Sequence, residues 1–95
     1  MNQKIREALC DMGHEEAVVF DGPDYDEAIV GVTDDGQVVY DFDRMVQILV
    51  ERDGMERLEA IDFIDYNTIR ALQYIENPPI IMNKLQLEEE NHGTD

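Results

Sequence analysis

Ile5, Ala8, Leu9 and Met12 recur at i, i+3, i+4 and i+7, which predicts a helix over residues 2–12 with one apolar side. Gly13 follows where a left-handed residue would stop it. Residues 17–20 form a short β-branched and aromatic run and predict a first strand. Asp21-Gly22-Pro23-Asp24 is turn chemistry, since Gly tolerates positive φ and Pro fixes its own. Residues 28–33 and 37–41 then predict two strands of a hairpin around Asp34-Asp35-Gly36. Strict alternation in the first of them sets Ile29, Gly31 and Thr33 on one side, Val30 and Val32 on the other. Apolar residues on both sides predict a sheet covered by helices on one face and touched by something on the other. Gly31 predicts a close approach by a neighbouring element.

The period then changes. Asp41 or Asp43 can cap a helix whose Met45, Val46, Ile48, Leu49 and Val50 make a broad apolar stripe, closed by Asp53-Gly54. A third helix starts near Met55 and carries Leu58, Ile61, Ile64, Ile69, Leu72 and Ile75 on a slightly irregular face. Tyr66-Asn67-Thr68 predicts a bend or restart within it, because Asn and Thr compete for backbone hydrogen bonds. Asn77-Pro78-Pro79 ends the helix, and residues 80–82 suit a short edge strand. The expectation is α+β: a small antiparallel sheet of three strands, with 80–82 as a candidate fourth, packed against two to three helices. One domain over residues 1–82 and an acidic polar tail over 83–95 complete it.

Composition narrows the function. The chain has 95 residues and 43% apolar content, enough for one small core. No Ser is present, so a Ser-based nucleophile is excluded. One Cys and two distant His, Cys10, His14 and His92, do not make a zinc site. A Cys10–His14 dyad lacks a third group to orient the imidazole, and the thiol reads as a packed or idle one. The six Gly form no phosphate-binding pattern. The expectation is a non-enzymatic protein without cofactor or metal. A single Cys fits a reducing cytoplasm, and no signal peptide or membrane-spanning run is seen.

Charge changes the picture most. Twenty-three acidic residues oppose seven basic ones, for a net charge of −16, which argues against direct binding to nucleic acid. No Lys or Arg lies between Arg6 and Arg44, whereas residues 7–43 hold twelve carboxylates. One reading is a solubilising surface. A second is a cation site at Asp21-x-x-Asp24-x-Asp26-Glu27, although its spacing misses the EF-hand pattern. A third makes the field the function: carboxylates ~6–7 Å apart along strands and helices imitate a run of phosphates. Such a face would occlude a basic nucleic-acid channel, its target being a basic nucleic-acid-binding protein such as a nuclease. The expected contacts are Asp21, Asp24, Asp26, Glu27, Asp34 and Asp35, held together on one exposed side. The competing expectation is an interaction domain that homodimerises or docks a partner through an apolar surface, such as the open side of the sheet.

Residues 28–46 (AIVGVTDDGQVVYDFDRMV), 53–55 (DGM), 59–72 (EAIDFIDYNTIRAL) and 79–82 (PIIM) resemble short, functionally uncharacterised acidic proteins of bacteria, phages and prophages. The likeness covers roughly residues 17–82. It departs at Gln73, where such sequences tend to carry Pro, so the third helix is expected to run a turn longer. The resemblance implies a mobile-element setting in the bacterial cytoplasm. By analogy of gene type alone, it implies an inhibitor of the anti-CRISPR or anti-restriction kind, with a CRISPR effector or restriction nuclease as partner. It supplies no catalytic residue. In residues 66–70, Asn67 and Arg70 have a ligand-contact reading beside a structural one. In the structural reading Asn67 or Thr68 caps a restart and Arg70 pairs with Asp62 or Asp65.

Overall fold

The computed structural model describes residues 3–20 and 24–85. It is α+β: three helices and a three-stranded mixed sheet. Helix α1 spans Gln3–Asp11 and is followed by strands β1, Ile29–Val32, and β2, Val38–Asp41. Helix α2, Phe42–Asp53, continues directly from β2, and α3 spans Arg57–Ile64. A π-turn, Asp65–Ile69, and a 3-10 helix, Arg70–Tyr74, extend α3 before strand β3, Ile80–Met82. The sheet order is β1-β2-β3. β1 and β2 are antiparallel, as the hairpin pattern predicts. β3 pairs parallel to β2, with Val39 opposite Ile80 and Tyr40 opposite Ile81, so the sheet is antiparallel only in part.

Residues 17–20 form no strand and add to neither outer edge of the sheet, β1 or β3. Side chains anchor this segment instead. The Phe20 backbone N–H donates to the Tyr40 hydroxyl at 2.9 Å, and the Phe20 ring packs against Tyr40 and edge-on to Tyr25. The turn expected at residues 21–24 lies largely outside the described residues. The 83–95 tail does so beyond Leu85.

A bulge between Ile29 and Gly31 breaks the alternation of β1. Ile29 and Val32 therefore both pack on the core, while Val30 is 54% exposed. This corrects the strict two-sided assignment. No neighbour closes on Gly31 either, since a Cβ there would meet nothing within 4 Å.

The core joins Val38 and Tyr40 of β2 to Met45, Val46 and Leu49 of α2, and to Ala60 and Ile64 of α3. Asp41 caps α2, its Oδ1 accepting from the Asp43 N–H at 3.1 Å. Gly54, at φ +74, ends it. In α1 only Leu9 is buried and Ile5 half-buried; Ala8 and Met12 are exposed, a narrower stripe than the spacing predicts. Leu58 departs from the expected face of α3 and is 76% exposed. The irregularity foreseen at 66–68 is the π-turn. Its i→i+5 closure brings Ile64 and Ile69, five residues apart, to the same inward side with Thr68.

Candidate functional site

An open hollow of about 640 Å³ lies where three loops meet. Its first wall follows α1. Gly13 takes φ +83, its N–H donates to the Cys10 carbonyl at 3.0 Å, and the His14 N–H donates to Leu9 at 2.7 Å. These two bonds make a Schellman stop that satisfies the last carbonyls of α1 and throws Glu15 and Glu16 outward.

The second wall is the hairpin turn. Thr33 N–H donates to the Gln37 carbonyl at 2.8 Å, and Gly36 N–H donates to the Thr33 carbonyl at 2.9 Å. Gly36 sits at φ +89. A Cβ on Gly36 would stand 3.1 Å from His14 Nδ1, so the imidazole rests against the glycine and joins the two walls. The third wall comes from the stretch before β3. Gln37 Nε2 donates to the Pro78 carbonyl at 2.7 Å, which fixes Glu76 and Asn77 beside the turn. Glu15, Glu16, Asp35 and Glu76 thereby line one hollow, and among the described residues no Lys or Arg lines it.

Arg52 of α2 and Arg57 of α3 are engaged elsewhere. Arg52 reaches Asp53 at 3.2 Å and donates to the Asp24 carbonyl at 2.8 Å, and Arg57 meets Asp43 at 3.2 Å. Both ion pairs are exposed and contribute at most about 1 kcal/mol each. Arg70 lies over the Tyr66 ring at 5.0 Å, not against Asp62 or Asp65. Asn67 caps no restart: its side chain donates to the Phe63 carbonyl at 3.1 Å, one turn back.

The six residues expected to act together are divided. Asp21 lies outside the described residues. Asp26 is only 7% exposed and withdraws from any surface set. Asp24 Oδ1 accepts from the Asp26 N–H at 2.8 Å, a 3-10 turn follows at Asp26–Ala28, and the packing of α2 against this segment buries it. Glu27 shares a recess with Arg44. Asp34 and Asp35 are exposed at the far end of β1, about 13 Å of strand away. Of the five that are described, Asp35 alone reaches the hollow. Sequence reasoning does not single out Glu15, Glu16 or Glu76, which line the hollow; the stop at Gly13 hints at the first two, and nothing local points to Glu76.

Among the described residues, no group of three His, Cys, Asp or Glu is arranged to hold a metal ion. Cys10 is an exposed free thiol on α1. No described helix is long and apolar enough to cross a membrane. Comparison with protein-family models, with curated proteins and with solved structures finds no match.

Proposed function

We propose that this chain is a non-enzymatic binding protein whose acidic hollow receives Arg and Lys side chains of a basic nucleic-acid-handling protein and competes with nucleic acid for them. The observation that carries the reading is the segregation of charge. Four carboxylates from three separate loops converge on one concavity without a Lys or Arg among its described lining residues, while Arg52 and Arg57 are engaged by groups on and around α2. A hollow lined with one sign of charge concentrates its field and steers a partner of opposite sign. A restriction nuclease or CRISPR effector is the partner class proposed, by analogy of gene type alone.

The test is capture of partners from a bacterial extract by the parent chain and by a Glu15→Lys/Glu16→Lys/Asp35→Lys/Glu76→Lys variant. The parent is expected to retain a basic nucleic-acid-binding protein and to release it as salt rises. The variant is expected to retain none while keeping the parent's circular dichroism. Undiminished capture by the folded variant would remove the hollow from the mechanism.

A further inference from the structure

Strand β1 is an outer strand of the sheet, and among the described residues only β2 pairs with it. Beyond the bulge its pairing is regular, with Gly31 opposite Val39 and Val32 opposite Val38. The Thr33 N–H donates to the Gln37 carbonyl at 2.8 Å, so Val32 and Val38, the next pair, are of the non-bonded kind. The Val32 N–H and C=O therefore point away from β2, and among the described residues no backbone group pairs with them. The approach to them is open. Val30 is 54% exposed, Gly31 is exposed, and a Cβ on Gly31 would meet nothing within 4 Å. Outer strands are commonly guarded by Lys or Pro, and Ile29-Val30-Gly31-Val32 holds neither. We infer that this edge accepts an extended segment of the basic partner as an added strand, antiparallel or parallel to β1.

Charge selects the occupant. Exposed Glu27 precedes β1, and exposed Asp34 and Asp35 follow it. Arg44 shares the recess of Glu27, whereas among the described residues no ion pair uses Asp34 or Asp35. A second copy is disfavoured in either direction. Antiparallel self-pairing brings the Glu27 end of one copy beside the Asp34–Asp35 end of the other, and parallel self-pairing sets Asp34 and Asp35 beside their own kind, on chains of net charge −16 each. A segment with Lys or Arg toward the Asp34–Asp35 end meets opposite charge there while its backbone pairs with Val32. Small apolar residues in its middle would lie beside Val30 and the bare Gly31. Asp35 also lines the acidic hollow, so the same segment leads into it. The inference rests on the proposed function for the sign of the partner's charge, and it adds a backbone contact that the hollow does not supply.

The probe is the end-blocked peptide Lys-Val-Lys-Val-Lys-Val-Lys, set against the same peptide N-methylated at all its central backbone amides, which keeps the charge and cannot form a ladder. Nuclear magnetic resonance on the full chain at moderate salt reads both. The plain peptide is expected to shift the amides of residues 30–33 and to slow hydrogen exchange at the Val32 N–H. The methylated peptide is expected to bind about ten-fold more weakly and to leave that exchange unchanged. Slowing at Val32 that persists in the E15K/E16K/D35K/E76K variant would uphold the edge site while removing the hollow. Equal binding of the two peptides, with shifts confined to residues 13–18, 35–36 and 76–77, would overturn the edge site and leave the hollow standing. Absence of binding by the plain peptide at millimolar concentration would overturn it too, as would slowing at Val32 that grows with protein concentration alone, the mark of a second copy on the edge.

Discussion

The Tyr25 ring lies in a stretch, Asp24-Tyr25-Asp26-Glu27, whose polarity reads as exposed loop, yet Tyr25 is wholly buried. Thr68 faces its hydroxyl, but no hydrogen bond closes on it among the described residues. Burial pushes the phenol above its ordinary value of 10.0, with Thr68 and Arg52 drawing it back and Asp53 adding to the rise. Below about pH 10 the phenol is neutral in both folded and unfolded chains, so its share of stability is complete. Above that the unfolded chain ionises first, and stability falls until the folded phenol also ionises. Tyr25→Phe keeps the ring and removes the orphaned hydroxyl. Urea unfolding at neutral pH is expected to show the variant about 1 kcal/mol more stable than the parent. That gap should widen above pH 10, and a variant less stable than the parent would mean that the hydroxyl has a partner, such as a bound water. At this scale the sequence reveals stops and caps well, because Gly13, Gly54 and Asp41 act through their own backbone or nearest neighbours. It does not reveal Tyr25 or Asp26, whose burial depends on α2 arriving overhead.

Helix α2 shows how far an element can be read locally: its stripe, its Asp41 cap and its Gly54 stop all lie within the element or beside it. Replacing Asp41 by Ala leaves the Asp43 N–H without its acceptor and is expected to cost about 1 kcal/mol in urea unfolding, with Asn retaining most of it. A cost near zero for Ala would show that water replaces the cap. The hairpin is equally legible, since Asp34-Asp35-Gly36 supplies the turn and the strands flank it. Elements that depend on partners are not. Residues 17–20 have strand composition but are held by side-chain contacts of Phe20 with Tyr40 and Tyr25 instead of by sheet pairing. Residues 80–82 show their strand character but not its direction, which follows from the route of α2 and α3 back to β2. The weakness at Tyr66-Asn67-Thr68 is visible in composition, whereas its π form answers a packing demand, the need to turn Ile69 inward beside Ile64.

The whole molecule carries −16 on a small core, and this excess opposes the compact state. Between about 20 mM and about 200 mM salt the screening length shrinks roughly three-fold, so the thermal midpoint is expected to rise in calorimetry at neutral pH. A fall would mean that ion pairs such as Arg57–Asp43 outweigh the repulsion. The acidic character of the candidate site is legible from composition, but its location is not. Asp35 meets Glu15 and Glu16 because His14 rests on Gly36, and Glu76 joins them because Gln37 reaches Pro78, 41 residues away, and β3 docks on β2. That late docking also bears on how the chain is born. β3 is the last of the described elements to be synthesised, while its pairing partner and the helices α2 and α3 precede it. A growing polypeptide therefore holds a helical pair and an open strand edge without closure until translation passes Met82, and this interval is when a chaperone would be needed most.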